Sequence, residues 1–77
     1  MIAAYVLVQT EVGTAATVVA ALRGMQGVSD AASLAGPYDV IVRVEAGNID
    51  VLGRLVVSRI QAVGGVARTL TCPVISL

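Results

Sequence analysis

Within 77 residues the chain makes the same exit twice. MQGVSDA leaves a helix-periodic stretch for a β-rich one at Val28, and VGGVART does the same at Val66. Glycine readily adopts the left-handed backbone that ends a helix, so each exit reads as a helix stop followed directly by a strand. Two such exits divide the chain into two strand–helix–strand halves, which must share one core because the chain is too short for two.

The periodicity fills in the halves. Residues 2–10 (IAAYVLVQT) are short, β-rich and roughly alternating, and predict strand one. Thr14 is placed to cap a helix in which Ala15, Val18, Val19 and Leu22 share a face and which fades at Arg23-Gly24. Residues 28–35 predict a weaker second strand, Gly36-Pro37 a turn, and residues 38–46 the clearest strand of the chain. Asn48 caps a second helix whose buried stripe is Leu52, Leu55, Val56, Ile60 and Val63, and Gly64-Gly65 ends it. Strand four runs over about 66–76, with Pro73 marking it as an edge strand. The order βαββαβ is the split βαβ, ferredoxin-like plan. It predicts an α+β fold in which two helices cover one face of a four-stranded antiparallel sheet, in strand order 4-1-3-2.

The other face of that sheet has no cover from its own chain. Val40, Val42 and Val44 point to the helices, which leaves Asp39, Ile41, Arg43 and Glu45 on the open face beside Tyr5, Leu7 and Gln9. Composition agrees that apolar surface is in excess. Hydrophobic residues make up 57% and charged residues 13%, against a usual apolar share of about 45–50%. A domain of this size hides only about 60–65% of its unfolded surface. The surplus predicts oligomerisation, with dimers forming through the open sheet face.

Several function classes fall away. Five arginines balance five acids and there is no lysine. With no basic run, helix-turn-helix segment or aromatic platform, direct nucleic-acid binding is not expected. No uncharged apolar stretch reaches the roughly 18 residues a membrane-spanning helix needs, so no membrane role is expected. The start, Met1-Ile2-Ala3-Ala4-Tyr5, lacks the basic region of a signal peptide and reads as strand. Cys72 stands alone, which suits a reducing cytoplasm and the role of small core filler. No metal-ligand spacing occurs, and neither a metal nor a cofactor is expected. The acids Glu11, Asp30, Asp39, Glu45 and Asp50 are scattered and the chain has no histidine, so general acid–base catalysis has no footing and no catalytic residue is assigned. Arg54 and Arg59 on helix two read as a solvated face.

The segment GPYD, residues 36–39, sets a turn, a phenol and a carboxylate at the mouth of strand three. With strands one and three taken as parallel, Asp39 would look across the small residues Ala3 and Ala4 toward Thr71, Cys72 and Pro73, about 10 Å away. A small zwitterion fits such a place if a second subunit closes it. The competing reading is that Asp39 merely accepts backbone N–H bonds at the hairpin, as aspartate commonly does near turns.

GPYDVIVRVEA, followed by a helix and then GGVARTLTCPV, resembles the effector-binding domain of the Lrp/AsnC family of amino-acid-responsive regulators. That family carries a Gly-x-Tyr/Phe-Asp turn opening strand three and a Gly-Val-x-x-Thr-x-Thr run opening strand four. Here these are Gly36, Tyr38 and Asp39, then Gly65, Val66, Thr69 and Thr71. The resemblance covers essentially the whole chain and implies the regulation-of-amino-acid-metabolism (RAM) module. It implies dimers formed through the sheets, rings of dimers that are often octamers, and an amino-acid effector bound between dimers.

Carried over residue by residue, the resemblance gives Asp39 the ligand's ammonium group. Gly36 and Tyr38 shape the turn, and Thr71, Cys72 and Pro73 line the pocket. Ala32 and Ile49 match its edge. Pro73 stands where the family often has a bulkier apolar residue, and it offers no N–H. The helix-turn-helix of the full regulators is missing from residues 1–77, so the resemblance is to the stand-alone form of the module. By analogy its output is mixed assembly with a full-length regulator. Three rival readings share the fold: an ACT-like allosteric module, a small dimeric α+β-barrel enzyme, and an assembly module with an empty pocket.

Overall fold

The computed structural model describes residues 1–75. Strand β1 (Ile2–Thr10) leads to helix α1 (Ala15–Arg23), then to β2 (Val28–Ser33) and β3 (Val40–Ala46). Helix α2 (Ile49–Arg54) continues as a π-helical segment (Leu55–Ile60), and β4 (Val66–Pro73) follows. The four strands form one antiparallel sheet in the order β2-β3-β1-β4. This is the expected ferredoxin-like α+β plan.

Alternation along the strands builds the core. Ala4, Val6 and Val8 of β1 and Val40, Val42 and Val44 of β3 are buried. They form a single cluster with Val18, Val19 and Leu22 of α1 and with Leu52, Leu55, Val56 and Ile60 after β3. The buried stripes follow the predicted spacing except at their ends: Ala15 is only half-buried, and Val63 lies past the helical segment, which stops at Ile60, and is partly buried against the core. Full burial of a Val or Leu side chain contributes about 1.5–3 kcal/mol, so this cluster is the main source of stability. No side chain buried in it is polar.

The two exits are built alike. After α1, the Met25 N–H donates to Leu22 O (3.1 Å) and the Val28 N–H to Met25 O (3.2 Å). After the π-helical segment, the Val63 N–H donates to Ile60 O (3.1 Å) and the Val66 N–H to Val63 O (3.2 Å). Gly27 and Gly65 sit at equivalent points, with φ of +92° and +97°. Each carbonyl accepts from the other half of the chain: Gly27 O from Glu45 N of β3 (2.9 Å) and Gly65 O from Glu11 N, just past the end of β1 (2.8 Å).

Four sequence expectations change. First, β1 and β3 run antiparallel, with Ile2 opposite Ala46 and Val8 opposite Val40. The crossover through α1 returns β2 parallel to β1, and the hairpin then reverses β3. Second, the strand boundaries move. β2 stops at Ser33 and β3 starts at Val40, because residues 34–39 form a corner in which the Leu34 N–H donates to Asp39 O (2.8 Å). β4 stops at Pro73, which has no N–H; of the expected strand to residue 76, the last position lies outside the described residues. Third, Thr14 precedes α1 without a side-chain cap. Its hydroxyl donates instead to Glu11 O (2.7 Å) and Gly65 O (3.3 Å). Asn48 does cap α2, accepting from Val51 N at 2.9 Å. Fourth, Cys72 is exposed and fills no core.

Candidate functional site: a carboxylate corner and an apolar crevice

Asp39 sits where the corner meets the end of β1. Its backbone N–H donates to Val8 O (2.9 Å). Its carboxylate Oδ2 accepts from the Thr10 N–H (2.8 Å) and the Thr10 hydroxyl (3.1 Å). Across the corner, Gln9 Nε2 approaches Pro37 O at 3.4 Å. Asp39 therefore has a structural duty, discharged toward β1 rather than within its own hairpin. Its Oδ1 has no donor among the described residues. Both Asp39 and Tyr38 are half-buried, and Gly36 and Pro37 are exposed.

Antiparallel β1 and β3 separate this corner from the strand-four residues expected beside it. Thr71 lies opposite Val6, Cys72 opposite Tyr5 and Pro73 opposite Ala4. Val6 in turn faces Val42, so Thr71 is about 10 Å along the strands and about 10 Å across them from Asp39. The view over Ala3 and Ala4 does not exist within one chain, since those residues face Glu45 and Val44.

The three strand-four residues also divide between faces. Thr71 and Pro73 share the helix-bearing face with Val6 and Ala4. Together with Ile49, Leu52, Gly53, Val56 and Val57 they line a crevice of about 200 Å³, which is largely apolar. Cys72 shares the open face with Tyr5 and Arg43. Ala32, opposite Ile41, also lies on the open face, on β2. The structure thus brings Ile49, Thr71 and Pro73 together, groups Gly36, Tyr38 and Asp39 at a second place, and leaves Cys72 apart from both.

Sequence reasoning missed Thr10, whose position at the end of β1 gave no signal without the strand register. It also missed the part of Gly53, Val56 and Val57 in the crevice. The open face itself is as expected. Tyr5 and Leu70 are 41% and 46% exposed, Leu7 pairs with both Ile41 and Leu70, and Arg43 forms an ion pair with Glu45. No helix among the described residues is long and apolar enough to cross a membrane.

Comparison with known proteins bears on what this arrangement serves. A search of curated proteins finds no match. Among solved structures, the chain is similar to FFRP-DM1, with 29% identity, a TM-score of 0.93 and coverage of 97% of this chain and 100% of that one. It is similar to TTHA0845 from Thermus thermophilus, with 27% identity, a TM-score of 0.93 and coverage of 100% and 96%. A transcriptional regulator from Neisseria meningitidis, solved as its L-Met complex, shares the fold at 17% identity and a TM-score of 0.86. That match covers 97% of this chain and 50% of the regulator. The family model for the Lrp/AsnC ligand binding domain matches residues 3–77. The chain belongs to the Lrp/AsnC ligand-binding domain family.

Proposed function

We propose that this chain is an amino-acid-sensing and oligomerisation module, acting in the cytoplasm through partner proteins that include full-length Lrp/AsnC regulators, without contacting DNA itself. The observation that carries the reading is the separation of two complementary half-sites. Asp39 offers a carboxylate oxygen, Oδ1, that no donor among the described residues satisfies, and a carboxylate has more acceptor positions than the two Thr10 bonds use. The crevice of Ile49, Leu52, Val56, Thr71 and Pro73 offers apolar lining for an aliphatic side chain. One chain holds both halves too far apart for one small ligand. A second subunit, setting its corner against the first subunit's crevice, supplies an ammonium anchor and a side-chain pocket together. The L-Met complex of the Neisseria relative supports an amino acid as the ligand class.

A thermal-shift screen of the twenty amino acids tests the proposal. A specific ligand at 100 times its dissociation constant adds about 2.7 kcal/mol to stability, a rise of many degrees in a domain this small. The informative variant is Asp39→Asn. Its amide oxygen still accepts from Thr10, so apo stability stays near the parent's, while loss of the charge weakens the ammonium bond and shrinks the ligand response by about tenfold in affinity. Asp39→Ala lowers apo stability as well, by about 1–3 kcal/mol. If no amino acid stabilises the parent chain, the sensing proposal is wrong and the corner is only a clamp on β1.

A further inference from the structure

A second concavity lies on the opposite side of α2 from the apolar crevice. It is a half-open cleft of about 490 Å³ lined by Gln26, Gly27, Glu45, Val51, Arg54, Leu55, Ser58 and Arg59. Glu45 is six residues along β3 from Asp39, about 20 Å away, so the cleft is separate from the carboxylate corner.

We propose that this cleft is a binding site for a compact dianion, either a phosphate group or a pair of carboxylates on a small metabolite. The argument starts from the winding of the helix. In an α-helix, residues five apart lie about 140° apart around the axis, at 3.6 residues per turn. Arg54 and Arg59 would then stand well apart around the axis. The π-helical segment replaces that winding with i→i+5 closure. The Gln61 N–H donates to Val56 O at 3.3 Å. Residues five apart are thereby brought closer together around the axis than in an α-helix, and Arg54 and Arg59 both line the same cleft.

The cleft is rich in donors. Two guanidinium groups carry five N–H each, and the Ser58 hydroxyl and Gln26 amide add more. Neither Arg54 nor Arg59 makes a hydrogen bond or ion pair with another described residue. The one carboxylate on the rim, Glu45, is engaged by Arg43. Buried Leu55 and the turn at Gly27 form an apolar floor, and a Cβ at Gly27 would sit 2.7 Å from Leu55 Cδ2. A chain of zero net charge thus concentrates two unanswered positive charges over a shaped floor. Paired arginines match the planar or tetrahedral oxygens of carboxylate and phosphate better than a monovalent halide.

Titration calorimetry on the full chain, with inorganic phosphate and with succinate at constant ionic strength set by sodium chloride, tests the site. The expected result is saturable binding of at least one of the two, one per chain. Phosphate alone identifies a phosphate-bearing ligand and succinate alone a dicarboxylate. Arg54→Gln and Arg59→Gln should each weaken binding about tenfold or more, with circular dichroism unchanged because both side chains are exposed. Arg59→Lys should recover only part of the loss. Arg68→Gln on β4 and Asp39→Asn at the corner should leave it unchanged, which separates this site from the amino-acid site. Absence of saturable binding by both anions overturns the proposal, and so does binding that survives loss of Arg54 and Arg59.

Discussion

At Gly65 the backbone turns through a φ of +97°, and a methyl group there would lie 2.8 Å from Thr14 Oγ1 and 3.0 Å from Val18 Cγ2. Gly13 also has a positive φ, +81°, but a Cβ added there meets nothing within 4 Å. The two positions separate the cost of backbone strain from the cost of crowding. Gly13→Ala should lose about 1–2 kcal/mol, the left-handed penalty alone. Gly65→Ala should lose that and about 1–3 kcal/mol more for overpacking. Urea denaturation of both variants measures the difference, and equal losses would show that the approach of Thr14 to Gly65 contributes nothing. The glycine exits were legible in the sequence because they combine a helix stop with a β-branched run. The duty of Asp39 was legible only in kind. An acceptor role near a turn follows from the residue type, whereas its donor, Thr10, is 29 residues away in sequence and depends on the strand register.

At the scale of elements, the two helix starts look equivalent in sequence and differ in structure. Asn48 has an extended backbone and its side chain accepts from Val51 N. Thr14 has a helical-region backbone, φ −108° and ψ −2°, and turns its hydroxyl to the Glu11 and Gly65 carbonyls. Asn48→Ala should therefore cost about 1 kcal/mol, while Asn48→Asp should cost little, since aspartate caps equally well and suits the positive end of the helix. Thermal denaturation of the pair checks this. The helical stripes and the buried alternation of β3 were legible because burial imposes a period on the residues that face the core. The π-helical winding was not. Val56 and Ile60 are four apart and would face the core in an α-helix, so the apolar pattern does not betray the wider turn. The direction of β3 relative to β1 was derivable from the crossover and the hairpin, and the expectation of parallel strands neglected the hairpin's reversal. That error joined Asp39 to Thr71, Cys72 and Pro73 in one chain.

For the whole molecule the central quantity is apolar surface without a partner. Tyr5, Leu7, Ile41 and Leu70 share the uncovered face of the sheet, and none is buried. Ile49, Val51 and Val57 are exposed on the helical side as well. A lone sheet face of this kind, apolar at its centre with the Arg43–Glu45 pair toward one end, has the composition of an interface core with a polar rim. The proposed amino-acid site also needs more than one chain, because neither half-site is complete alone. Light scattering at micromolar concentration should find assemblies of two or more chains and no species of 7.8 kDa. Leu7→Glu and Ile41→Glu should each break the assembly, since burying an unpaired carboxylate costs several kcal/mol. Thr17→Glu, on the exposed side of α1, should leave it intact. The variants also separate assembly from folding. If Leu7→Glu gives a 7.8 kDa monomer with the parent's circular dichroism, the open face is an interface that the fold does not require. If it gives an unfolded chain, folding and association are one event, as they are for obligate dimers. A parent chain that is itself monomeric and folded would show that the open face carries its apolar surface in water, and the two-subunit site would fall with it.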